Sequence, residues 1–333
     1  MTRPRASSSP RRHLKKCMPM HWMRLAGLVL FAPLAGCANA RQDWLWIFNP
    51  NGPLATWSVY YLFVDVVLLL IIIVPATALT LWVIFRYRRG GHGTYDPSFR
   101  HSNLIEVFAW GVPLLVVGAL SYYAYEGAHA VAPYDPGVLQ TNPAAQANKP
   151  LQIDVITTDW QWLFIYPEQD VALANKLILP VGRQINMRLT SASVTNDFYI
   201  LKLVGQIYVM PGMRTKRKFL IDRPGTYRGF STEFSGPGFS WMDYKVHVVK
   251  KAKFQGWVDK AQATGQALSY KRFQQFAEPM VNTANKTYTF NHVDPDLFET
   301  VIKRVKSGKL THERPMELTE DMGSAKFRKH STQ

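Results

Sequence analysis

The sequence predicts a membrane-anchored α+β protein in which a two-helix transmembrane hairpin is followed by a β-sandwich and then by C-terminal helices. Three observations carry this reading. Two long apolar runs occupy 59–85 and 104–124. From Leu151 onward, short segments alternate apolar and polar residues between turn signals. After Lys250, apolar residues recur three and four apart. A chain of 333 residues that is 47% hydrophobic has room for two spans and one extramembrane domain of ordinary size.

The N-terminus joins Arg3, Arg5, Arg11, Arg12, Lys15, Lys16 and Arg24 to the apolar stretch Leu25 to Leu34, and then to Leu34-Ala35-Gly36-Cys37. A basic region, a short apolar region and small residues before a break describe a secretory signal, so 1–36 is expected to be removed. Leu-Ala-Gly-Cys resembles a bacterial lipobox, which implies a lipoprotein signal peptide with lipidation at Cys37, on both its thiol and its new amino group. The other reading of the same residues is an uncleaved anchor helix with Cys37 as a buried thiol. Removing 1–36 takes away seven cations and no acid, lowering the formal charge from +16 to +9. Nucleic-acid binding is a poor account of that charge, because membrane proteins carry excess Lys and Arg for orientation and headgroup contact. The only cysteines are Cys17 and Cys37, which excludes a disulfide framework or a thiolate metal site in the extramembrane domain.

Residues 37–58 form an N-terminal segment before the hairpin at 59–125. The first span, Val59 to Phe85, is 27 residues long; at about 1.5 Å per residue it exceeds a hydrocarbon core of about 30 Å. Pro75 should bend it, and neighbouring helices can cover the freed carbonyl. The second span, Leu104 to Ala124, contains Glu106 and Pro113. The loop 86–103 carries Arg86, Arg88, Arg89 and Arg100 against Asp96 alone, which places it in the cytoplasm and both ends of the hairpin in the periplasm. Ionisable groups within spans are costly and commonly functional. Asp65 reads as a contact with a partner helix ahead of a proton role. Glu106 lies three residues after Asn103, a capping-box arrangement with Asn103 as N-cap.

Ala128 to Pro150 reads as a linker, 126–150 in the domain division. Leu151-Gln-Ile-Asp-Val, Gln184-Ile-Asn-Met-Arg-Leu-Thr and Tyr244-Lys-Val-His-Val have period two, with turns at Met210-Pro-Gly212 and Asp222-Arg-Pro-Gly225. Many short strands with regular turns predict a sandwich or barrel over 151–250. Beyond it, 251–306 reads as helical, through Phe254-Gln-Gly-Trp257-Val258, Phe273-Gln-Gln-Phe276 and a helix capped by Asp294 with Pro295 at its first position. Residues 307–333 are polar and charged enough to be a tail.

The segment Ser231 to Met242 has the spacing of a copper loop, Cys-x3-Cys-x3-His-x2-Met, yet Ser231, Ser235 and Phe239 stand where the first three ligands belong. Asn196 stands where a further histidine is expected. Thiolate and imidazole hold copper as soft or borderline donors, and Ser and Phe cannot replace them. Met242 survives, but one thioether does not hold copper, so packing is its expected role. This frame narrows the β-domain to a cupredoxin-like Greek-key sandwich whose ligand positions Asn196, Ser231, Ser235, Phe239 and Met242 are vestigial. Trp160 and Trp162 read as alternate aromatic residues of a strand, for core and interface packing. His247 reads as a structural histidine.

In this setting Asp159-Trp-Gln-Trp162, Ile165-Tyr-Pro-Glu-Gln169 and Tyr227 through Gly238 resemble subunit II of the haem-copper respiratory oxidases, and among these the cytochrome o type ubiquinol oxidase. The resemblance covers nearly all of the chain after residue 37. It implies a structural and assembly subunit of a proton-pumping terminal oxidase that oxidises ubiquinol and reduces oxygen to water. It further implies no catalytic residue, metal or cofactor in this chain, with haems and copper in subunit I. The implied partners are subunit I, the other oxidase subunits, membrane lipid, and quinol through the complex, in a bacterial inner membrane. The segment Ser-Asn-Leu-Ile-Glu-Val-Phe-Ala-Trp matches the region where such oxidases place a glutamate near the mouth of a proton pathway, which assigns that role to Glu106 alongside capping. One rival, a cytochrome c oxidase subunit II, needs the missing copper ligands. Residues 126–333, with 27 Lys plus Arg against 19 Asp plus Glu, would also repel a basic electron carrier. A second rival, a periplasmic binding lipoprotein, has no use for two spans with an intramembrane carboxylate.

Overall fold

The computed structural model describes residues 48–94, 96–99, 101–283 and 286–309. The expected signal 1–36 and Cys37 lie outside the described residues, as do residues 310–333 of the expected tail. Helix α1 (Pro53–Tyr87) and helix α2 (Asn103–Ala130) form the hairpin, and both are long and apolar enough to cross a membrane. Each is longer than its expected span. Pro53 at the first turn has no N–H to leave unpaired and so starts α1 six residues before Val59. At the far end of α2, the His129 and Tyr125 rings sit 4.4 Å apart one turn from the other and carry the helix to Ala130. Trp57, Tyr60 and Tyr61 gather on α1, Tyr122 meets Tyr123 on α2, and the Tyr61 ring packs across the hairpin on Gly127. This is the amphipathic ring cluster expected where a helix leaves the hydrocarbon.

The hairpin joins the β-domain through Asn51, which is 2% exposed. Its backbone N–H donates to the Lys202 carbonyl at 2.7 Å, its side-chain amide donates to the Arg223 carbonyl at 2.8 Å and to the Tyr227 hydroxyl, and its Oδ1 accepts the Arg223 N–H at 3.0 Å. Gly52 follows with φ 102°, and a Cβ there would overlap the Leu220 carbonyl. On the other side, 126–150 is not the plain linker read from its Pro, Ala and Asn content. After α2 it forms two short helices, α3 (Gly137–Gln140) and α4 (Pro143–Gln146). They bury Leu139 and Ala145 in the main core, because these apolar residues lie within reach of the sandwich end.

Two sheets follow. β1 (Leu151–Thr157), β2 (Trp162–Tyr166), β3 (Val171–Ala174), β4 (Lys176–Pro180), β5 (Ile185–Ser191), β6 (Asn196–Ile200), β7 (Val204–Val209), β8 (Thr215–Phe219), β9 (Gly225–Phe230) and β10 (Tyr244–Val249) form the sandwich. After helix α5 (Lys251–Thr264) come β11 (Gln266–Leu268), α6 (Tyr270–Phe276), β12 (Thr289–Val293) and α7 (Leu297–Lys306). The seven-stranded sheet runs β11-β12-β3-β2-β1-β5-β8 and the five-stranded sheet β4-β10-β9-β6-β7. β1 pairs parallel with β5, and β10 parallel with β4; the rest of the two sheets, apart from β11 with β12, is antiparallel. This is the cupredoxin-like sandwich the sequence predicts, extended at one edge.

The extension corrects the purely helical reading of 251–306. β12 pairs with β3, whose outer edge would otherwise leave its N–H and C=O groups unpaired. The expected cap also moves. Helix α7 begins at Leu297 after Asp296, while the Asp294 carboxylate accepts the Asp296 N–H at 3.0 Å and so closes the turn before the helix. One core lies between the sheets and holds Trp162, Phe164, Phe198 and Tyr244 within ring-centroid separations of 4.9–6.2 Å. Each such pair is worth about 0.5–1.5 kcal/mol beyond area burial. A second core lies between the outer face of the larger sheet and the C-terminal helices, through Leu163, Ile165, Phe273, Leu297 and Val301.

A cupredoxin loop without a copper donor set

The segment 231–242 connects β9 to β10 at one end of the sandwich. Asn196 opens β6 beside it and is fully buried. Its amide donates to Thr157 Oγ1 at 3.1 Å and to the Val194 carbonyl at 3.3 Å, leaving Oδ1 unpartnered among the described residues. Ser231, 4% exposed, accepts the Asp197 N–H at 3.1 Å and donates to the Glu233 carbonyl at 3.2 Å. Ser235 is buried, with its hydroxyl unpartnered among the described residues. Phe239 is half-buried and meets the exposed Phe234 ring edge-on at 5.6 Å. It starts a 3-10 turn, Phe239–Trp241, that delivers Met242, 1% exposed, into the main core.

The structure corrects the reading of Trp160. It is not a strand residue alternating with Trp162; it sits at φ 67° in the turn between β1 and β2. That conformation is uncommon for a bulky side chain and is held here by the surroundings. The Trp160 indole N–H donates to the Ser235 carbonyl at 2.8 Å and the Trp162 indole N–H to the Met242 carbonyl at 3.0 Å. Thr283 Oγ1 donates to the Trp160 carbonyl at 2.7 Å, with the Trp241 carbonyl at 3.3 Å. Two indoles therefore hold the loop backbone at two former ligand positions. Gly238 lies flat on the Trp160 ring, where a Cβ would overlap it. The sequence assigns both tryptophans to packing alone; the missed signal is that a buried indole N–H requires an acceptor.

Asp197, which no sequence motif singles out, is 2% exposed. It accepts a hydrogen bond from Thr232 Oγ1, and burial raises its carboxyl above the usual carboxylate range despite that bond. His247 is half-buried on β10, with Nδ1 at 3.2 Å from Thr226 Oγ1; burial, then Lys176 and Lys245, lower its pKa. No group of three or more His, Cys, Asp or Glu able to hold a metal occurs among the described residues. Of the five former ligand positions, only Met242 offers a soft atom, so this donor set does not suit copper.

Glu106 lies far along the chain from this loop, on the first turn of α2. The expected capping box is absent: Ser102, not Asn103, is the N-cap, and its side chain makes no cap bond. The Glu106 carboxylate turns instead to His101 Nδ1 at 3.0 Å, a charge-capable partner one position before the N-cap. Asp65 is half-buried within α1.

Residues 164–249 match the family described as cytochrome c oxidase subunit II, periplasmic domain. Over longer spans the chain is 40% identical to cytochrome bo(3) ubiquinol oxidase subunit 2 of Buchnera aphidicola subsp. Baizongia pistaciae, covering 78% of this chain and 88% of that one. It is 36% identical to ubiquinol oxidase subunit 2 of Acetobacter aceti, covering 86% and 89%, and 32% identical to cytochrome bo(3) ubiquinol oxidase subunit 2 of Pseudomonas putida, covering 87% and 90%. Hairpin, sandwich and loop define the class, a membrane-anchored oxidase subunit II with a cupredoxin-like domain. Within that class, the chain belongs to the ubiquinol oxidase subunit 2 family.

The raised carboxyl of Asp197 gives a pH-dependent prediction. The folded state holds this proton more tightly than the unfolded chain, so stability contributed by the protonated form is lost as pH rises through the carboxylate range and beyond it. Asp197→Asn, which cannot ionise, should melt above the parent chain at neutral pH and lose that advantage below pH about 4. Thermal melts across this range check it; an equal difference at both ends contradicts it.

Proposed function

We propose that this chain is the non-redox subunit II of a proton-pumping terminal oxidase that oxidises ubiquinol and reduces oxygen to water. The observation that carries the reading is the loop 231–242, kept in a cupredoxin frame by indole hydrogen bonds while Ser231, Ser235 and Phe239, with Asn196 beside the loop, stand where copper ligands belong. A frame kept without metal donors suits a docking and assembly role, with haems and copper belonging to subunit I. Ubiquinol reaches the complex through lipid, so no entry copper and no cytochrome c are needed, and the basic β-domain suits no basic carrier. The hairpin packs beside subunit I in the bacterial inner membrane, with Asp65 facing a partner helix. The arginines after α1 support a cytoplasmic loop and hence a periplasmic sandwich.

The complex purified through this chain should carry haem, oxidise ubiquinol and leave reduced cytochrome c untouched. A haemless monomer, or oxidation of cytochrome c, would sink the proposal.

Glu106 is assigned to the mouth of a proton pathway, its carboxylate paired with His101 at the hairpin's cytoplasmic turn. Glu106→Ala should slow oxygen consumption of the assembled complex several-fold and weaken pumping, whereas Glu106→Asp should retain part of both. Unchanged turnover and pumping in Glu106→Ala confine the residue to the end of the helix. Cys37 is assigned to lipid attachment, and Cys37→Ser should abolish labelling by radioactive palmitate; labelling that persists contradicts the lipobox.

A further inference from the structure

Arg217 stands in the middle of β8, in register with Met187 of β5. Alternation therefore turns it to the face on which Ile185, Met187 and Leu189 enter the main core, and it is 7% exposed. No carboxylate or hydrogen-bond acceptor meets its guanidinium among the described residues, and its Nε is enclosed without a partner. Burial lowers its pKa to about 10, which leaves it charged at neutral pH. A buried charge without a counter-ion destabilises the fold, as breaking one half of a buried ion pair does.

The open end of this side chain shows where a counter-ion can come from. Nη2 lies 3.6 Å from the place a Cβ would occupy on Gly205, an exposed residue of β7. β7 and β8 are the edge strands of the two sheets, so the guanidinium ends at the seam between them. That seam is at the membrane end of the domain. Lys202, three residues before Gly205, accepts the Asn51 N–H two residues ahead of α1, and Lys218 donates its N–H to Pro133 three residues beyond α2, at 3.1 Å. Arg223 lies at the same end, with its guanidinium on the Pro50 carbonyl at 2.6 Å. Against Lys202, Arg217, Lys218 and Arg223 stand Asp135, held by Lys218 at 2.9 Å, and Asp222.

We propose that Arg217 is an anion-binding residue at the membrane surface and that its ligand is the phosphodiester of a lipid headgroup. The planar guanidinium suits paired phosphate oxygens, and glycine at 205 leaves the approach to Nη2 free of a side chain. Basic residues at headgroup depth add attraction for anionic lipid. This inference requires only that the hairpin lies in a membrane and is independent of the oxidase reading.

The test uses the full chain in mild detergent, titrated with phosphatidylglycerol, with lipid retention read by native mass spectrometry and stability by thermal melting. The parent chain should retain lipid and melt higher with it. Arg217→Gln should bind it at least about tenfold more weakly, the loss of one charge-assisted pair, and should melt no lower than the parent without lipid, since the uncompensated charge is gone. Arg217→Met reports the same two quantities if the glutamine variant does not fold, Arg217→Lys should fall between, and Lys245→Gln on the exposed face of β10 should match the parent. Parent-like retention and stabilisation by lipid in Arg217→Gln and Arg217→Met overturn the proposal. So does inorganic phosphate giving the same Arg217-dependent stabilisation as lipid, which marks a free-anion site. Loss of accompanying subunits from Arg217→Gln with lipid retention intact also overturns it, and assigns the counter-ion to a partner protein.

Discussion

Two buried indole N–H groups fix the end of this sandwich. A loop of twelve residues with little regular structure needs something to set its path, and in a cupredoxin frame a metal with several protein ligands can do so. Here Trp160 holds the carbonyl of Ser235 and Trp162 that of Met242, while Thr283 ties the Trp160 turn to Trp241. A hydrogen bond between neutral groups contributes only about 0.5–1.5 kcal/mol net, but an indole left buried without its acceptor is destabilising by about 1–3 kcal/mol. The clamp is therefore specific as well as stabilising: any other path for the loop strands two donors.

The second constraint is mechanical. Asn51 forms four hydrogen bonds to a segment more than a hundred and fifty residues away in sequence, immediately before α1 begins. The chain leaving α2 is fastened to β8 through Pro133 and buries Leu139 and Ala145. Both strands of the connection are thus folded into the β-domain by hydrogen bonds and buried side chains. Such a joint leaves no plain linker between the two long apolar helices and the β-domain.

The broad architecture was legible because its signals are periodic. Apolar runs of membrane length, alternation at Leu151, Gln184 and Tyr244, and the three-and-four spacing at Phe254 and Phe273 each mark an element from neighbours in sequence. The copper-loop spacing likewise located the site, although it named the missing donors and not what replaced them. What stayed hidden depends on distant partners. Asn51 looks like an ordinary turn residue until Arg223 and Tyr227 are beside it, and Trp160 looks like strand until its positive φ is seen. The helix caps at Asn103 and Asp294 follow local rules that nearby competitors, His101 and Asp296, overrode. Residues 126–150 read as linker by composition, yet two apolar side chains suffice to bind them to the core.

A cupredoxin-like scaffold held by hydrogen bonds and packing, with Met242 as the one soft donor at the copper-loop positions, should not retain copper. Loading the purified full chain with copper, followed by metal quantification and visible spectroscopy, tests it most directly. Washing should leave no stoichiometric copper and no charge-transfer absorption; retention of stoichiometric copper with the bands of a mixed-valence pair would contradict this.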